Sequence, residues 1–281
     1  MIGCHLSVAG GLHHALVEAA ALKLECVQVF TQNQRQWKAR RLTREALDLW
    51  RRRRVARRPV VSHAGYLINL AAADPALRRR SIAALRSELR RCEALGIGVL
   101  VLHGGAHNGA GEAHGLDRVI RSINRVHRGL PDGSTVLCLE TTAGAGTTLC
   151  GTLEHLAFIR RNVDEPGRVG VCLDTAHLFA AGYDLSGAAQ TQDTLQRCEA
   201  VLGWDAVRAA HINDSKTPLG SRRDRHEHIG HGHIPLEAFA EVVNHAYLRT
   251  IPLILETPKA VAPDGRSWDE VNLAVLRGLL E

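Results

Sequence analysis

VGVCLDTAH, residues 169–177, is an apolar run closed by an acid, with an imidazole three residues further on. It shows no polar alternation, so it reads as a strand buried on both faces. A charged side chain in the middle of such a strand is costly, because an unpaired buried charge is expensive. At the strand's exit the same group can face a cleft. This pattern recurs along the chain. PVVSHA (59–64) reaches His63, VLVLHGG (99–105) reaches His103 and TVLCLETT (135–142) reaches Glu140. VRAAHINDSK (207–216) reaches His211 and IPLILETP (251–258) reaches Glu256. A lone histidine at a strand end is more often a simple hydrogen-bonding residue than a ligand. Six strand ends carrying such groups describe one polyvalent metal site.

Outward from these runs, the pattern is strand, loop, amphipathic segment, repeated. Strands are expected near 2–6, 26–30, 59–63, 98–103, 135–140, 169–174, 207–212 and 251–256. Helices are expected near 10–22, 43–55, 75–95, 113–129, 152–162, 188–201, 235–246 and 267–280. Alternation of this kind implies parallel pairing with helices outside. Eight units in 281 residues favour closure into an α/β (β/α)8 TIM barrel. A doubly wound open sheet would concentrate its ligands at one crevice instead. No linker or low-complexity stretch divides the chain, so residues 1–281 are expected to form a single catalytic domain. Pro59, Pro75, Pro235 and Pro252 fall at element starts, where proline is tolerated. The stretch from about Asn213 to Ile234 is expected to be a long irregular loop and a functional one.

Composition narrows the class. No apolar stretch approaches the ~20 residues needed to span a bilayer. The opening MIGCHLSVAGG lacks the pattern of a secretory signal. A soluble cytoplasmic monomer is expected. The seven cysteines are odd in number and scattered, without a CxxC pair, and read as reduced and structural. A formal charge of +6 admits a polyanionic partner. Arg51 to Arg54 reads first as a solvated helix end, where cations also suit the dipole.

His63, His103, His177, His211 and His226 with Glu140, Asp174, Asp224 and Glu256 form the candidate ligand set. Imidazole with carboxylate suits zinc, with manganese or iron next. Nine ligands exceed one tetrahedral ion and suit a cluster sharing a bridging carboxylate. Three dications carry +6, and the four carboxylates reduce this to +2, a charge that attracts a phosphodiester. Asp224 and His226 are two apart, so in an extended segment they share a side. His228, His231 and His233 are read as decoys. His5 is expected to line the site without ligating. The other histidines are assigned to surface or packing roles.

The residues resemble endonuclease IV, a family of metal-dependent abasic-site endonucleases. The resemblance runs nearly end to end, through HLSVAGGL (5–12), FTQNQRQWK (30–38), SHAGYLINLA (62–71), VLHGGAH (101–107) and LETTAGAG (139–146). It continues through VGVCLDTAHLFAAGYD (169–184), HINDSKTPLGSRRDRHEHIGHGHI (211–234) and PLILETP (252–258). It implies three zinc ions per chain, with manganese admissible at one or more sites. One would be held by His63, His103 and Glu140. A second would be held by Glu140 as bridge with Asp174, His211 and Glu256, and the third by His177, Asp224 and His226.

Glu140, Asp174 and Glu256 are the implied catalytic carboxylates. The implied reaction is hydrolysis of the phosphodiester 5′ to an abasic site in double-stranded DNA, leaving a 3′-hydroxyl and a 5′-deoxyribose phosphate. Trimming of blocked 3′ ends is implied as well. Arg35, Gln36 and Tyr66 would enter the duplex, compensating for lost stacking at an extruded nucleotide. Lys216 and Arg225 would meet phosphates, with Arg222 and Arg223 beside them. Trp37 is expected to pack beneath its loop. The chain departs from some members at Ala64-Gly65 and at His231. Two other readings compete: a sugar isomerase or epimerase on a related barrel, needing fewer ions, and a DNA-lesion binding protein without hydrolysis.

Overall fold

A computed structural model describes all residues, 1–281. The strands are β1 (Ile2–Leu6), β2 (Cys26–Phe30), β3 (Val60–His63), β4 (Val99–His103), β5 (Val136–Glu140), β6 (Val169–Asp174) and β7 (Val207–His211). A two-residue pair, β8 (Asp214–Ser215) and β9 (His226–Glu227), precedes β10 (Leu253–Leu255). The helices are α1 (Leu12–Ala21), α2 (Arg44–Arg53), α3 (Pro75–Leu95), α4 (Glu112–Arg128), α5 (Leu153–Asn162), α6 (Thr175–Ala181), α7 (Ala188–Leu202), α8 (Leu236–Asn244) and α9 (Trp268–Gly278). β1 to β7 and β10 close into a barrel in the order β1-β10-β7-β6-β5-β4-β3-β2, every pair parallel. The expected (β/α)8 TIM barrel is therefore the observed fold.

The interior follows from the two-residue period of a strand, which sends i and i+2 to the same face. Cys26, Val61, Val101, Cys138, Cys172, Ala209 and Ile254 form a small apolar cluster of their own, one from each of seven strands. Two residues further along those strands or just past them stand Gln28, His63, His103, Glu140, Asp174, His211 and Glu256. On β1 the corresponding pair is Gly3 and His5; a Cβ at Gly3 would overlap the Cys26 carbonyl oxygen. The barrel thus has an apolar plug beneath a polar layer at the strands' C-terminal ends. All seven cysteines are free and buried. Burial pushes the Cys4 and Cys26 thiols up to about 12, which suits inert packing.

Apart from α6, the helices bury one face each against the barrel's outside. α3 starts at Asp74, whose side chain accepts from the backbone N–H groups of Ala76 and Leu77, with Pro75 in the first turn. It ends at Gly96, in the left-handed region at φ 65°. On α2 the buried anchor is Trp50, whose indole N–H donates to the Leu95 carbonyl at 2.8 Å. Emptying that position by Trp50→Ala costs about 3–5 kcal/mol by the usual cavity rule. Arg51, Arg52 and Arg53 occupy the last turn of α2 and are exposed, as expected of a solvated helix end, but Arg54 is half-buried and its guanidinium donates to the Arg58 and Gly96 carbonyls.

Two features depart from the sequence expectation. The DTAH motif passes into α6 and not into a loop: the Asp174 carboxylate accepts from the His177 N–H at 2.7 Å and caps the helix. All but its last residue are buried, so α6 has no polar face and no amphipathic signature. The 213–234 segment, expected to be irregular, contains the β8–β9 hairpin. Buried Asp214 organises it, accepting from the backbone N–H groups of Ser215, Gly230, Gly232 and Ile234 at 2.7–3.0 Å. Gly232 lies so close that a Cβ there would collide with Asp214 and the Ser215 carbonyl. No helix is long and apolar enough to cross a membrane.

Candidate metal centre

The polar layer converges on Glu140, fully buried at the end of β5. Its Oε2 lies 3.0 Å from His63 Nε2 and 2.9 Å from His103 Nε2. Its Oε1 lies 3.0 Å from His211 Nδ1 and 3.2 Å from His177 Nδ1. One carboxylate thus faces imidazoles on both sides, as a bridging ligand must. His211 Nδ1 also lies 3.1 Å from Glu256 Oε2 and 3.7 Å from Asp174 Oδ2. On the far side Asp224 reaches in from the hairpin, 3.2 Å from His177 Nε2 and 3.4 Å from His226 Nε2.

Three groups have donor atoms mutually within 4.8 Å: His63, His103 and Glu140; Glu140, Asp174, His211 and Glu256; and Asp174, His177 and His226. These groups hold eight of the nine expected residues; the ninth, Asp224, belongs to none of them and adjoins the last through His177 and His226. Asp174 takes part in two of the groups, a sharing that the sequence did not suggest.

Hydrogen bonds to the outer nitrogens decide which imidazole nitrogen faces inward. His63 Nδ1 lies 2.8 Å from the Ala64 carbonyl and His177 Nδ1 2.8 Å from that of Thr141. A carbonyl only accepts, so each Nδ1 carries a proton and each Nε2 is the nitrogen turned inward. Gln28 does the same for His211. The Gln28 amide nitrogen donates to Glu256 Oε1 at 2.5 Å and approaches His5 Nδ1 at 3.0 Å, which orients its oxygen to His211 Nε2 at 2.9 Å. His211 Nδ1 then faces Glu140, Asp174 and Glu256. Asn213 donates to Asp174 Oδ2 at 2.8 Å and accepts from the Glu256 N–H at 2.7 Å, tying two carboxylate strands together.

Charge in the layer is mutually supporting. Burial alone would raise Glu140, but His103 and His211 hold it well below the usual carboxylate range. Burial also acts against Asp224, yet His177 beside it brings its carboxyl down to about 2. Burial would lower His177, but Asp174 and Asp224 hold it well above its ordinary value. The donor set fits a metal cluster. The buried Nε2 atoms of His177 and His226 have no hydrogen-bond partner, although a carboxylate stands beside both. A dication between them and Asp224 would satisfy all three.

Around the centre, Tyr66 is 59% exposed, its ring 5.6 Å from Phe30 and 6.0 Å from His63, which places it on the rim. Arg35 and Gln36 are exposed on the loop after β2. Trp37 is half-buried against the core with the Arg80 guanidinium 4.5 Å over its ring, as expected of a packing residue. Lys216 and Arg225 are exposed on the hairpin, where Lys216 pairs with Glu227 at 3.6 Å. His5 lies 3.4 Å from Glu256 Oε1, touching a candidate ligand without joining a group. His228 stacks on Trp268 at 3.7 Å, away from the centre. Gln28 and Asn213 escaped the sequence reading. The one trace of Gln28 is an amide inside the otherwise apolar run CVQVF.

Residues 16–277 match the family model described as a xylose isomerase-like TIM barrel. The chain is 42% identical over 281 residues to a Chloroflexus aurantiacus protein named "Probable endonuclease 4", covering 99% of this chain and 98% of that one. The crystal structure of endonuclease IV from Thermus thermophilus superposes with a TM-score of 0.87 at 34% identity, covering 99% of this chain and 98% of that one. A D-tagatose 3-epimerase-like protein shares the fold alone, with a TM-score of 0.72 at 17% identity over 99% and 96% of the two chains. With the barrel, the convergent ligand layer and these full-length likenesses together, the chain belongs to the endonuclease 4 family of xylose isomerase-like TIM barrels.

Proposed function

We propose that this chain is a DNA-repair endonuclease that hydrolyses the phosphodiester 5′ to an abasic site in duplex DNA, leaving a 3′-hydroxyl and a 5′-deoxyribose phosphate, and that it trims blocked 3′ ends. The observation that carries this reading is the pair of orphaned Nε2 atoms of His177 and His226 beside Asp224, adjoining two further donor groups that share Glu140. A sugar isomerase needs fewer ions and gives that outlying trio no task. Its relatives named endonuclease 4 and endonuclease IV support a nuclease acting on DNA.

Three zinc ions would be held by His63, His103 and Glu140, by Glu140, Asp174, His211 and Glu256, and by His177, Asp224 and His226. Manganese is admissible at one or more of these sites. Bound there, the ions supply Lewis-acid charge that stabilises the extra negative charge of phosphodiester hydrolysis. The protein's share is to keep Glu140, Asp174 and Glu256 ionised and oriented, with imidazole lone pairs aimed inward by Ala64, Thr141 and Gln28. Arg35, Gln36 and Tyr66 enter the duplex at the lesion, and Lys216 and Arg225 meet backbone phosphates. The chain works as a single-domain monomer in the cytoplasm.

The test uses purified, metal-replete protein on a labelled duplex with one tetrahydrofuran abasic analogue, both product ends being identified. Metal is counted in the same sample. A cut 5′ to the analogue with a 3′-hydroxyl product and about three ions per chain is expected. The analogue cannot undergo β-elimination, so a lyase product is not confused with it. An uncut duplex with the metal in place favours lesion binding without hydrolysis, and one or two ions per chain favours the sugar-enzyme reading.

A further inference from the structure

Glu88 is a carboxylate on α3 that the metal chemistry does not use, and it is 1% exposed. Its Oε2 accepts from the Thr31 hydroxyl at 2.9 Å. Its Oε1 accepts from the Gln32 amide at 2.7 Å and from the Gly65 backbone N–H at 3.3 Å. Thr31 and Gln32 open the loop after β2, which carries Arg35 and Gln36; Gly65 immediately precedes Tyr66 on the loop after β3. Arg91, almost one helical turn on, extends the anchorage. Its Nε donates to the Thr31 hydroxyl at 3.2 Å, its guanidinium donates to the Thr31 carbonyl, and another of its N–H groups reaches the Arg40 carbonyl at 2.7 Å. The two loops also touch directly, the Tyr66 N–H donating to the Gln34 carbonyl at 3.1 Å.

Residues 31–43 form neither helix nor strand. The loop's own backbone offers little to hold it: the Arg35 and Gln36 N–H groups both turn back onto Asn33. Trp37 and Leu42 pack against the core, and the polar attachment of the loop's first residues comes from side chains of α3, a helix capped at both ends. Ordering a free loop on binding is paid for in affinity, and holding it in place beforehand removes that cost. We propose that Glu88 is a positioning residue for lesion recognition, a single buried carboxylate that locks the loop bearing Arg35 and Gln36 to the loop bearing Tyr66. The three side chains then meet the duplex as one preorganised wedge. This rests on the function proposed above.

The substitutions are Glu88→Gln and Glu88→Ala in the metal-replete full chain. The amide keeps one accepting oxygen, so Gln should retain part of the lock while Ala abolishes it. For Gln, KM on the abasic-analogue duplex is expected to rise roughly tenfold, with a larger rise for Ala, while kcat stays within about twofold. Zinc content and hydrolysis of bis(p-nitrophenyl) phosphate should match wild type, since neither depends on the wedge. Hydrogen exchange in duplex-free protein should accelerate at 31–40 and 64–68 and nowhere on the barrel strands. An unmoved KM overturns the proposal. So does a fall in kcat with loss of zinc, which would make Glu88 a support of the metal layer. Uniformly faster exchange across the barrel in Glu88→Gln would make it a plain stability residue and also overturn the proposal. Wild-type protein that leaves the duplex uncut removes the function reading and this one with it. Wild-type protein that cuts, beside variants with unchanged KM, removes this one alone.

Discussion

Glu140→Gln is the substitution that best isolates the shared carboxylate. The change is nearly isosteric, so the barrel should stay closed, but it removes the charge and replaces one oxygen by an NH2 donor. Oε2 faces His63 and His103 at 3.0 and 2.9 Å, and Oε1 faces His211 at 3.0 Å. Whichever way the amide turns, one of these two groups meets N–H donors and the other meets a neutral oxygen. A four-donor zinc site binds with about 10–16 kcal/mol, hence about 3 kcal/mol for each donor. Losing one donor's worth therefore weakens an ion roughly a hundredfold or more. Both Glu140 sites should weaken together, while the His177, Asp224 and His226 site keeps its own donors. The assay dialyses wild type and variant against a series of buffered free zinc concentrations and counts metal per chain by mass spectrometry, with incision measured in parallel. Two occupancy steps should move to higher zinc by roughly two orders of magnitude, with the third unmoved, and incision should fall by several orders. If only one step moves, if all three move equally, or if incision stays near normal, the bridge is misassigned.

Gln28→Leu leaves the His211 Nε2–H without its acceptor and frees Glu256 from its amide donor, so metal affinity at that group should drop about 10–100-fold; a zinc titration that superposes on wild type would remove Gln28 from the site. Arg35→Ala should weaken binding of the abasic duplex roughly tenfold and leave zinc content intact; if the variant loses metal, that loop supports the centre and does not read the lesion. His127, 1% exposed on α4, is pushed down from 6.5 to about 4 by burial, with Arg168 reinforcing the shift. A depressed folded-state value means that the unfolded chain binds the proton first, so this stability is present above about 6.5 and is lost as pH falls towards 4. In urea unfolding of the metal-free protein, wild type should lose about 2 kcal/mol more than His127→Leu between pH 7 and pH 5. Parallel pH curves for the two proteins would show that His127 is not the group responsible.

Strand positions, the barrel and the strand-end acids and histidines that converge at its mouth were legible in the linear chain, because each depends on a local pattern. In β5, Val136 to Glu140, the two-residue period places Cys138 and Glu140 on one face, and the strand's end lifts the second of them out of the plug. The same spacing repeats at Val61 and His63, at Val101 and His103, and at Ala209 and His211. α6 was not legible, because a short helix buried on nearly every side leaves no polar stripe.

What the linear chain determined by itself is which residues reach the mouth of the barrel, since period and strand end are properties of neighbours. Only the tertiary structure decided which nitrogen His63, His177 and His211 turn inward, that Asp174 is shared by two groups, and which partners Gln28, Asn213 and Glu88 meet. Gln28 meets His211 across 183 positions of chain and Glu88 meets Thr31 across 57. A hydrogen bond between such residues requires an angle and a distance that exist only once the barrel has closed, so neither partner carries a mark of it in its own surroundings.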